Sequence, residues 1–205
     1  MKLISIYAVE IKHINKIFRD TIKIYNDAIS FCIKVFEENW GVLETLEVGN
    51  KERKDYADSL IHSTKSNVAT YQEFDVKFRK MPSYLRFAVI NTALGHLSSY
   101  HSNLANWELS NTDSKAPILQ TRLNKLPTFY KSNMYLDDCI GDAIRLKLFI
   151  NNDWNWVEVQ LKHTDVVSIQ KHMQSTKISV PTLEKRNKKW FLRFAFEEKV
   201  NLNKT

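Results

Sequence analysis

The sequence predicts an α+β fold, in which a small antiparallel β-barrel similar to an OB-fold is interrupted after its first strand by a helical domain. Residues 4–11 are apolar and β-branched, and two long segments then place apolar residues at every third or fourth position. After residue 140 the apolar period changes to two. We therefore expect the first strand within residues 1–12, the helical domain within 13–112 and the remaining strands within 113–205.

Two amphipathic helices define the predicted helical domain. The first covers residues 16 to about 40, and Gly41 is its expected stop. Residues 44–71 are weakly periodic and predict a shorter helix with loops. The clearest helix opens with Pro82 in its first turn and ends at about residue 107. Its expected buried stripe consists of Phe87, Ile90, Leu94, Leu97, His101 and Leu104.

Two hairpins are predicted in the last third of the chain. Apolar residues alternate with others in 144–150, and an Asn-Asn-Asp turn leads into a second strand at 154–161. A further alternating strand at 190–196 follows a basic turn, residues 184–189, and its partner is a strand around 178–180. With the N-terminal strand, these segments are expected to form one small barrel.

The formal net charge of +7 is unevenly distributed along the chain. Residues 1–114 hold 14 Lys/Arg and 14 Asp/Glu, whereas residues 115–205 hold 16 and 9. A one-sided positive surface attracts polyanions, because each neutralised phosphate releases condensed counterions. The distribution predicts nucleic acid as the partner. An anionic membrane surface and a charge that serves only solubility are the alternatives.

Several classes of enzyme and metal site are excluded by missing motifs. The chain contains no GxxxxGK, GxGxxG, GxSxG or HExxH sequence. Its two cysteines, Cys32 and Cys139, cannot supply a four-thiolate zinc site. His96 and His101 are five residues apart, or about 140° around a helix, so they do not share a metal-binding face. We expect no bound metal and no cofactor.

No complete catalytic centre is evident in the sequence. Asp137, Asp138 and Asp142 lie in a loop-like stretch, away from the apolar strand or helix face that paired catalytic carboxylates require. The N-terminal apolar run is interrupted by Glu10 and Lys12, so it predicts a strand and not a signal peptide. No segment has the length of a membrane span. We therefore expect a cytoplasmic protein that is not an enzyme by itself and does not contact the membrane.

Two short segments combine cations with aromatic or amide groups, as contacts to RNA and single strands require. The candidate RNA-binding residues are Tyr130, Lys131, Asn133, Lys185, Arg186, Lys188 and Lys189. A solvated loop around Tyr130 and a charged hairpin tip that serves only solubility are the alternatives. Arg86 and Asn91 lie beside the apolar stripe of the longest helix. Their side chains can bond guanine and adenine bidentately, yet either can also be an ordinary exposed residue.

Six segments carry a resemblance to a known family through their order along the chain. They are IYAVEI at 6–11, NDAI at 26–29, LRFAVINTAL at 85–94, KLPTFYK at 125–131, ISVPTL at 178–183 and WFLRFAF at 190–196. Together they resemble the N-terminal half of TnpB (OrfB) proteins, transposon-encoded RNA-guided nucleases related to type V CRISPR effectors. In that family a wedge barrel, interrupted by a helical recognition domain, holds a guide RNA and reads a short DNA motif beside the target.

The resemblance implies roles for particular residues and a missing half. Arg86, Asn91 and Thr92 correspond to recognition-helix positions near the DNA, and the 130–133 segment corresponds to wedge positions facing the RNA or the duplex. The family's RuvC-like cutting domain begins with a Gly-x-Asp strand just beyond the position of residue 196, and this sequence contains neither its acidic triad nor its zinc-ribbon cysteines. The implied protein is a non-catalytic lobe whose partners are guide RNA, target DNA and a separate RuvC-bearing polypeptide.

Other interpretations stay open at this point. The chain could be a nuclease-deficient regulator that binds nucleic acid without cutting, a fragment, or a protein-interaction module unrelated to the family. The interaction module predicts that no RNA copurifies. A large exposed apolar patch would favour it, or would mark the face on which a RuvC partner docks.

Overall fold

A computed structural model of the chain has an α+β fold of antiparallel sheets and helices. It describes residues 2–12, 16–47, 49, 51–110, 114–130, 132–136, 141–173, 177–178 and 180–199. The chain divides into two compact units, which we call the strand unit (Met1–Ile22 with Leu126–Thr205) and the helical unit (Lys23–Lys125). The sequence alone places these two divisions earlier, at residues 12 and 112.

The elements follow one another in an order that separates the first strand from the others. The strands are β1 (Lys2–Ile11), β2 (Tyr135–Leu136), β3 (Ala143–Ile150), β4 (Asp153–Gln160), β5 (Lys177–Ile178), β6 (Thr182–Arg186) and β7 (Lys189–Lys199). The helices are α1 (Arg19–Glu38), α2 (Trp40–Leu43), α3 (Lys51–Ile61), α4 (Glu73–Lys77), α5 (Ser83–Leu109) and α6 (His163–Met173).

The longest strand pair joins β1 to β7 across the whole helical insertion. Its register runs from Lys2 opposite Lys199 to Ile11 opposite Trp190. The alternation of apolar residues determines which face of β7 is buried. The even-numbered residues from 190 to 196 are buried, and those between them are partly exposed. β5 and β6 pair with the other edge of β7, which completes a four-stranded antiparallel sheet.

A second sheet consists of β2, β3 and β4, also antiparallel. Leu146 and Leu148 supply its buried face. The backbone N–H of Phe149 donates a 2.9 Å hydrogen bond to Oγ1 of Thr21, a fully buried hydroxyl in the first turn of α1. Among the described residues the strand pairs thus form two sheets and not one closed barrel. The antiparallel α+β class predicted from the sequence is confirmed at this coarser level.

Both predicted hairpins are present, and both turn on two residues in the left-handed region. Asn151 and Asn152 have φ values of 53° and 60°, and Asn187 and Lys188 have 45° and 66°. Two consecutive residues with positive φ are typical of the type I′ turn, whose twist matches that of the flanking strands. The second hairpin corrects the sequence prediction in one respect. The partner strand begins at Thr182, so residues 184–186 lie within β6 and the turn itself is shorter than the predicted 184–189.

The helical unit buries one broad face of each long helix. Along α1, Ala28 and Cys32 are fully buried and Ile24 and Val35 nearly so, at the spacings of three and four that predict an amphipathic helix here. α5 buries Leu85, Ala88, Val89, Ile90, Ala93, Leu94 and Leu97. Phe31, Phe74 and Phe78 form an aromatic cluster, with ring centroids 4.8–6.0 Å apart.

Three details of the predicted helices are wrong. Gly41 does not stop a helix, because it lies inside the one-turn α2. Pro82 precedes α5 as its N-cap residue with an extended ψ of 134°, so it lies outside the first turn. Phe87 is 37% exposed, because the buried face of α5 is centred on residues 85, 89 and 93 and Phe87 points away from it. None of the described helices combines the length and the hydropathy that a membrane crossing requires.

Candidate nucleic-acid interface

The β6–β7 hairpin presents the densest group of exposed cations in the strand unit. Its five residues from 185 to 189 are all exposed, because the two-residue turn leaves the tip with no neighbouring strand to cover it. Arg186 stands opposite Lys189 across the ladder, and Lys185 stands opposite Trp190. Since paired residues share a face, the cations occupy both faces of the tip.

Two carboxylates hold part of this charge in place. Glu184 accepts both Nε (2.5 Å) and Nη2 (2.9 Å) of Arg186, and this hydrogen bond, more than the charge itself, raises the pKa of that guanidinium. Lys189 Nζ lies 2.8 Å from a carboxylate oxygen of Glu10 on β1. Lys188 forms no ion pair with the described residues. Lys185 likewise forms none with them, so these two lysines are the hairpin cations most open to a phosphate.

Aromatic rings lie under two of the hairpin cations. Lys185 Nζ is 5.2 Å from the centre of the Trp190 ring, and the Arg186 guanidinium is 5.8 Å from that of Phe191. Trp190 is buried, and its ring also contacts Phe18 at 5.2 Å. The rings therefore support the cations from below and do not themselves offer an open stacking surface.

An exposed aromatic residue does occur on the neighbouring hairpin, where the sequence did not lead us to look. Trp156 is 37% exposed on β4, and Lys147, directly opposite on β3, places its Nζ 5.4 Å from the ring centre. A Trp with an adjacent cation is a suitable platform for an unpaired base. The signal in the sequence was a large aromatic residue on the solvent-facing side of an alternating strand.

Backbone hydrogen bonds join Tyr130 to residues 133–135. The carbonyl oxygen of Tyr130 accepts backbone N–H groups from Asn133, Met134 and Tyr135 at 3.2, 2.7 and 3.2 Å. Tyr130 and Asn133 are half-buried, and the Asn133 Oδ1 atom is buried with no partner among the described residues. Lys131 lies outside the residues that the structure describes.

The chain before Tyr130 and the basic hairpin are connected through β6. Thr128 forms an antiparallel bridge with Thr182, and Phe129 donates to the carbonyl of Pro181 at 2.9 Å. Lys185 is three residues further along β6, which corresponds to about 10 Å. The structure therefore brings the two predicted RNA-binding groups to opposite ends of one short strand.

The three predicted DNA-binding residues differ in their surroundings. Arg86 Nε lies 2.8 Å from Asp58 Oδ1, and both side chains are less than one-fifth exposed, so this guanidinium ties α5 to α3. Thr92 donates to the carbonyl of Ala88 at 2.7 Å within its own helix. Asn91 is exposed and lines a cleft of about 390 Å³ in the helical unit. The structure does not bring the three side chains to one surface.

The titratable groups outside these surfaces form isolated pairs. His62 contacts Asp75 at 2.7 Å, His101 contacts Glu37 at 2.8 Å and His163 contacts Asp142 at 2.7 Å. Asp137, Asp138 and Cys139 lie outside the described parts of the chain. Within the described parts, no three His, Cys, Asp or Glu side chains meet in a group that could hold a metal ion.

Cys32 is a fully buried thiol in the helical unit. Desolvation, and to a smaller extent the charge of Asp58, raises its pKa well above the ordinary value. A thiol that stays protonated is a poor nucleophile and a poor metal ligand. His96 is likewise engaged, since its Nε2 lies 2.7 Å from the carbonyl oxygen of Gln120.

Fold and surface together define a two-unit α+β protein, with an exposed basic hairpin on antiparallel sheets and a helical insertion after the first strand. The chain belongs to the Aq_aa04 family, whose pattern matches residues 5–150. The matched residues run from β1 through the entire helical unit to the end of β3, so they include Arg86 and Asn91 but not the basic hairpin. No curated protein matches the sequence.

Proposed function

We propose that the chain is the guide-RNA-binding and DNA-recognising lobe of a TnpB-like RNA-guided system, non-catalytic alone and completed by a separate RuvC-bearing polypeptide. The observation that carries this proposal is the exposed basic tip of the β6–β7 hairpin. Four cations on five consecutive residues form a surface suited to the phosphates of a nucleic acid.

The charge of the two units supports a nucleic-acid contact on the strand unit. Its residues include 17 Lys/Arg and 11 Asp/Glu, whereas the helical unit includes 13 and 12. Because a local excess of positive charge raises the concentration of a polyanion near it, RNA is expected to contact the strand unit first. Trp156 with Lys147 then offers an unpaired base a stacking surface on the same unit.

Backbone pairing at two places supports a small barrel of the wedge type. Ile11, at the end of β1, forms an antiparallel bridge with Leu161, directly after β4. Thr128 bridges Thr182 at the start of β6, and the chain after Thr128 continues into β2. If both bridges are counted as strand pairings, the strand order is β2, β3, β4, β1, β7 and β6. The segment around Thr128, which pairs with β6, then leads along the chain back to β2. We propose that the two sheets are the two sides of one such barrel.

The helical insertion supplies the DNA-recognition part of the proposal, with Asn91 as its base-contacting residue. Asn91 is exposed, and an amide that is free to rotate can bond an adenine edge bidentately. Arg86 contacts DNA in this proposal only if its ion pair with Asp58 opens. Thr92 contributes indirectly, because its hydroxyl bonds the carbonyl of Ala88 and so stabilises the turn of α5 that carries Asn91.

The proposed lobe performs no chemistry by itself. The half-buried carboxylates of Asp58, Asp75 and Asp142 are each bound to an Arg or His side chain, which suits a structural role better than metal binding. A protein that works on RNA and on transposon DNA in a bacterial cell is expected in the cytoplasm.

A second candidate function is a protein-interaction module, which one observation favours. Ile4 and Ile6 are 65% and 55% exposed on the outer face of β1, and Ala195 stands opposite Ile6 on that face. Exposed large aliphatic side chains on one sheet face are typical of a surface that another protein covers. In the first proposal this face receives the RuvC-bearing partner.

The test is purification of the full chain from its cells without added nuclease, followed by sequencing of any bound RNA and identification of any copurifying polypeptide. One discrete RNA with a RuvC-bearing partner supports the proposal. A discrete RNA without a partner supports a binding-only regulator. Absence of any specific RNA overturns the guide-binding function and leaves the interaction module.

Binding measurements with the recovered RNA then test the hairpin itself. The variant in which Ala replaces Lys185, Arg186, Lys188 and Lys189 is expected to bind RNA with a shallower salt dependence. The slope of log affinity against log salt concentration should fall in magnitude by about 3, since each single-strand phosphate contact contributes roughly 0.7. The matched control replaces Lys34, Lys65, Arg79 and Lys115, four exposed cations of the helical unit, and so removes the same charge. An equal loss in both variants would exclude a specific role for the hairpin.

A further inference from the structure

The helical unit contains a buried arginine that forms no ion pair with the described residues. Arg53 is 3% exposed, on the face of α3 that also buries Ala57, Leu60 and Ile61. A buried cation is costly unless charge or hydrogen bonds compensate it. Within the described chain no carboxylate lies within ion-pair distance of this guanidinium. Burial lowers its pKa, and Glu44, at longer range, opposes this shift.

The contacts that Arg53 does make leave much of its hydrogen-bonding capacity unused. Its guanidinium carbon lies 4.8 Å from the centre of the Trp40 ring, and its Nη2 lies 3.4 Å from Ser98 Oγ, a long hydrogen bond. Its Nε is buried and has no acceptor among the described residues. An arginine presents five N–H donors in a planar fork, so these contacts satisfy only a small part of it.

Two clefts meet at Arg53, and both lie wholly within the helical unit. The first, of about 390 Å³, is lined by Gly49, Arg53, Lys54, Asn91, Leu94, Gly95 and Ser98. The second, of about 290 Å³, shares Arg53 and Ser98 with it and includes Glu44 and His101. The described residues that line the first cleft include no carboxylate, whereas Glu44 lines the second. An anion therefore fits the first cleft better.

The chemistry of the first cleft is that of an oxyanion site. Arg53 and Lys54 bring two positive charges, while the Asn91 amide and the Ser98 hydroxyl bring further donors. The described residues that line this cleft include no aromatic ring. Trp40, which lines the second cleft, is 8% exposed, with Arg53 over its ring and His101 stacked on it at 4.5 Å. The arrangement recognises a tetrahedral anion and not a planar base.

We infer that the cleft between α3 and α5 binds a phosphate group, with Arg53 as its central donor and Lys54, Asn91 and Ser98 around it. The site itself stands on this geometry alone. One part of the inference rests on the proposed function: if the chain binds nucleic acid, the phosphate is a backbone phosphodiester, and if not, it belongs to a free or small phosphorylated ligand. In the first case the Asn91 amide contacts the base of the nucleotide whose phosphate Arg53 holds, and in the second case it donates to the phosphate itself.

A glycine on the wall of the cleft allows the site to be blocked without removing a donor. A Cβ at Gly95 would meet no atom within 4 Å, so a larger side chain there enters the open space of the cleft. Gly95→Leu also replaces a poor helix former inside α5 by a good one, so the fold is expected to tolerate it. Gly41→Leu is the matched control, since Gly41 is also helical, also has open space at its Cβ and lines neither cleft.

The experiment follows the Nε–H signal of Arg53 by NMR in the full, ¹⁵N-labelled chain, with Arg53→Lys used to assign it. Inorganic phosphate is expected to shift this signal, and Gly95→Leu, but not Gly41→Leu, is expected to weaken phosphate binding at least tenfold. If RNA then displaces phosphate from Arg53, the ligand is a backbone phosphate. If phosphate binds and RNA does not displace it, the cleft binds a small phosphorylated ligand. The phosphate site is then supported, and its connection with RNA or DNA binding is excluded. An Arg53 signal that neither phosphate nor RNA moves would overturn the inference.

Discussion

The cations of the strand unit and those of the helical unit differ in how their charge is compensated. Lys185, Lys188 and Lys189 stand in solvent at a hairpin tip, where water solvates the charge and ion pairs contribute little. Arg53 and Arg86 are mostly buried, so each needs a defined partner. Arg86 has one in Asp58, whereas the described residues offer Arg53 only a ring and a long hydrogen bond. The exposed group suits a long, salt-dependent contact, and the buried group suits one defined anion.

The largest effect is expected from breaking the buried ion pair of Arg86 with Asp58. Asp58→Ala leaves Arg86 charged, with 12% of its side chain exposed and no carboxylate at its Nε. An unpaired buried charge of this kind typically costs about 3 kcal/mol of unfolding free energy. Asp27→Ala is the matched control, because its pair with Lys23 is exposed and is worth at most about 0.5 kcal/mol. Urea unfolding followed by circular dichroism measures both, and equal losses would contradict the difference in burial.

Cys32 offers a second readout for the same variant. In the native protein its raised pKa and complete burial keep the thiol protonated and inaccessible, so iodoacetamide at pH 8 is expected to leave it unmodified. Opening of the helical unit in Asp58→Ala should make the residue reactive. Mass spectrometry of the peptide that contains Cys32 separates this reaction from modification elsewhere.

A buried hydrogen bond in the strand unit tests whether the loss of a partner is costly for any buried polar group or mainly for a buried charge. Thr21 is fully buried, and its Oγ1 accepts the backbone N–H of Phe149 at 2.9 Å. Thr21→Val keeps the shape but leaves that N–H without an acceptor, which is expected to cost about 2 kcal/mol. Thr21→Ser keeps the oxygen and should cost clearly less. If Val and Ser variants are equally stable in urea, the hydrogen bond does not contribute to the stability of the strand unit.

Trp156 tests whether an exposed ring of the strand unit contributes to RNA binding by stacking. Its ring is partly open and is paired with Lys147, whereas Trp190 beneath the basic hairpin is buried. Trp156→Ala is expected to weaken RNA binding by about 1 kcal/mol, or roughly fivefold, because one stacked base loses its platform. The salt dependence of binding should stay unchanged, since no charge is removed. A changed salt slope with unchanged affinity at low salt would contradict a stacking role.

The sequence predicted the hairpins well because their determinants are local. Alternating apolar residues fix which face of a strand is buried, and Asn-Asn and Asn-Lys supply the positive φ values that a two-residue turn requires. It also predicted that the first strand is separated from its partners. The extent of closure into a barrel depends on bridges such as Ile11 with Leu161, which join segments 150 residues apart and have no local signature.

The sequence predicted the candidate site less well, because burial decides the role of an arginine and burial is a tertiary property. The sequence predicts Arg86 at a DNA surface, whereas in the fold its guanidinium forms an ion pair with Asp58. The two residues are 28 positions apart, so nothing local in the sequence indicates that they meet. In the sequence Arg53 lies within a run of charged residues from 51 to 55. A signal was present: positions 53, 57, 60 and 61 share one helical face, and the other three are apolar. A cation on such a stripe indicates a buried charge.

The smallest effect is expected at the hairpin turn, where conformation and charge can be separated at one residue. Lys188 has a φ of 66°, a conformation that costs a side-chain-bearing residue about 1 kcal/mol and glycine almost nothing. Lys188→Gly should therefore stabilise the strand unit by up to about 1 kcal/mol and still lose one phosphate contact. Lys188→Ala removes the same charge and keeps the strain, so it should bind RNA equally weakly without the gain in stability. If the two variants unfold at the same urea concentration, the turn does not limit the stability of the hairpin. If only one of them loses RNA affinity, the hairpin contributes to binding through its shape more than through its charge.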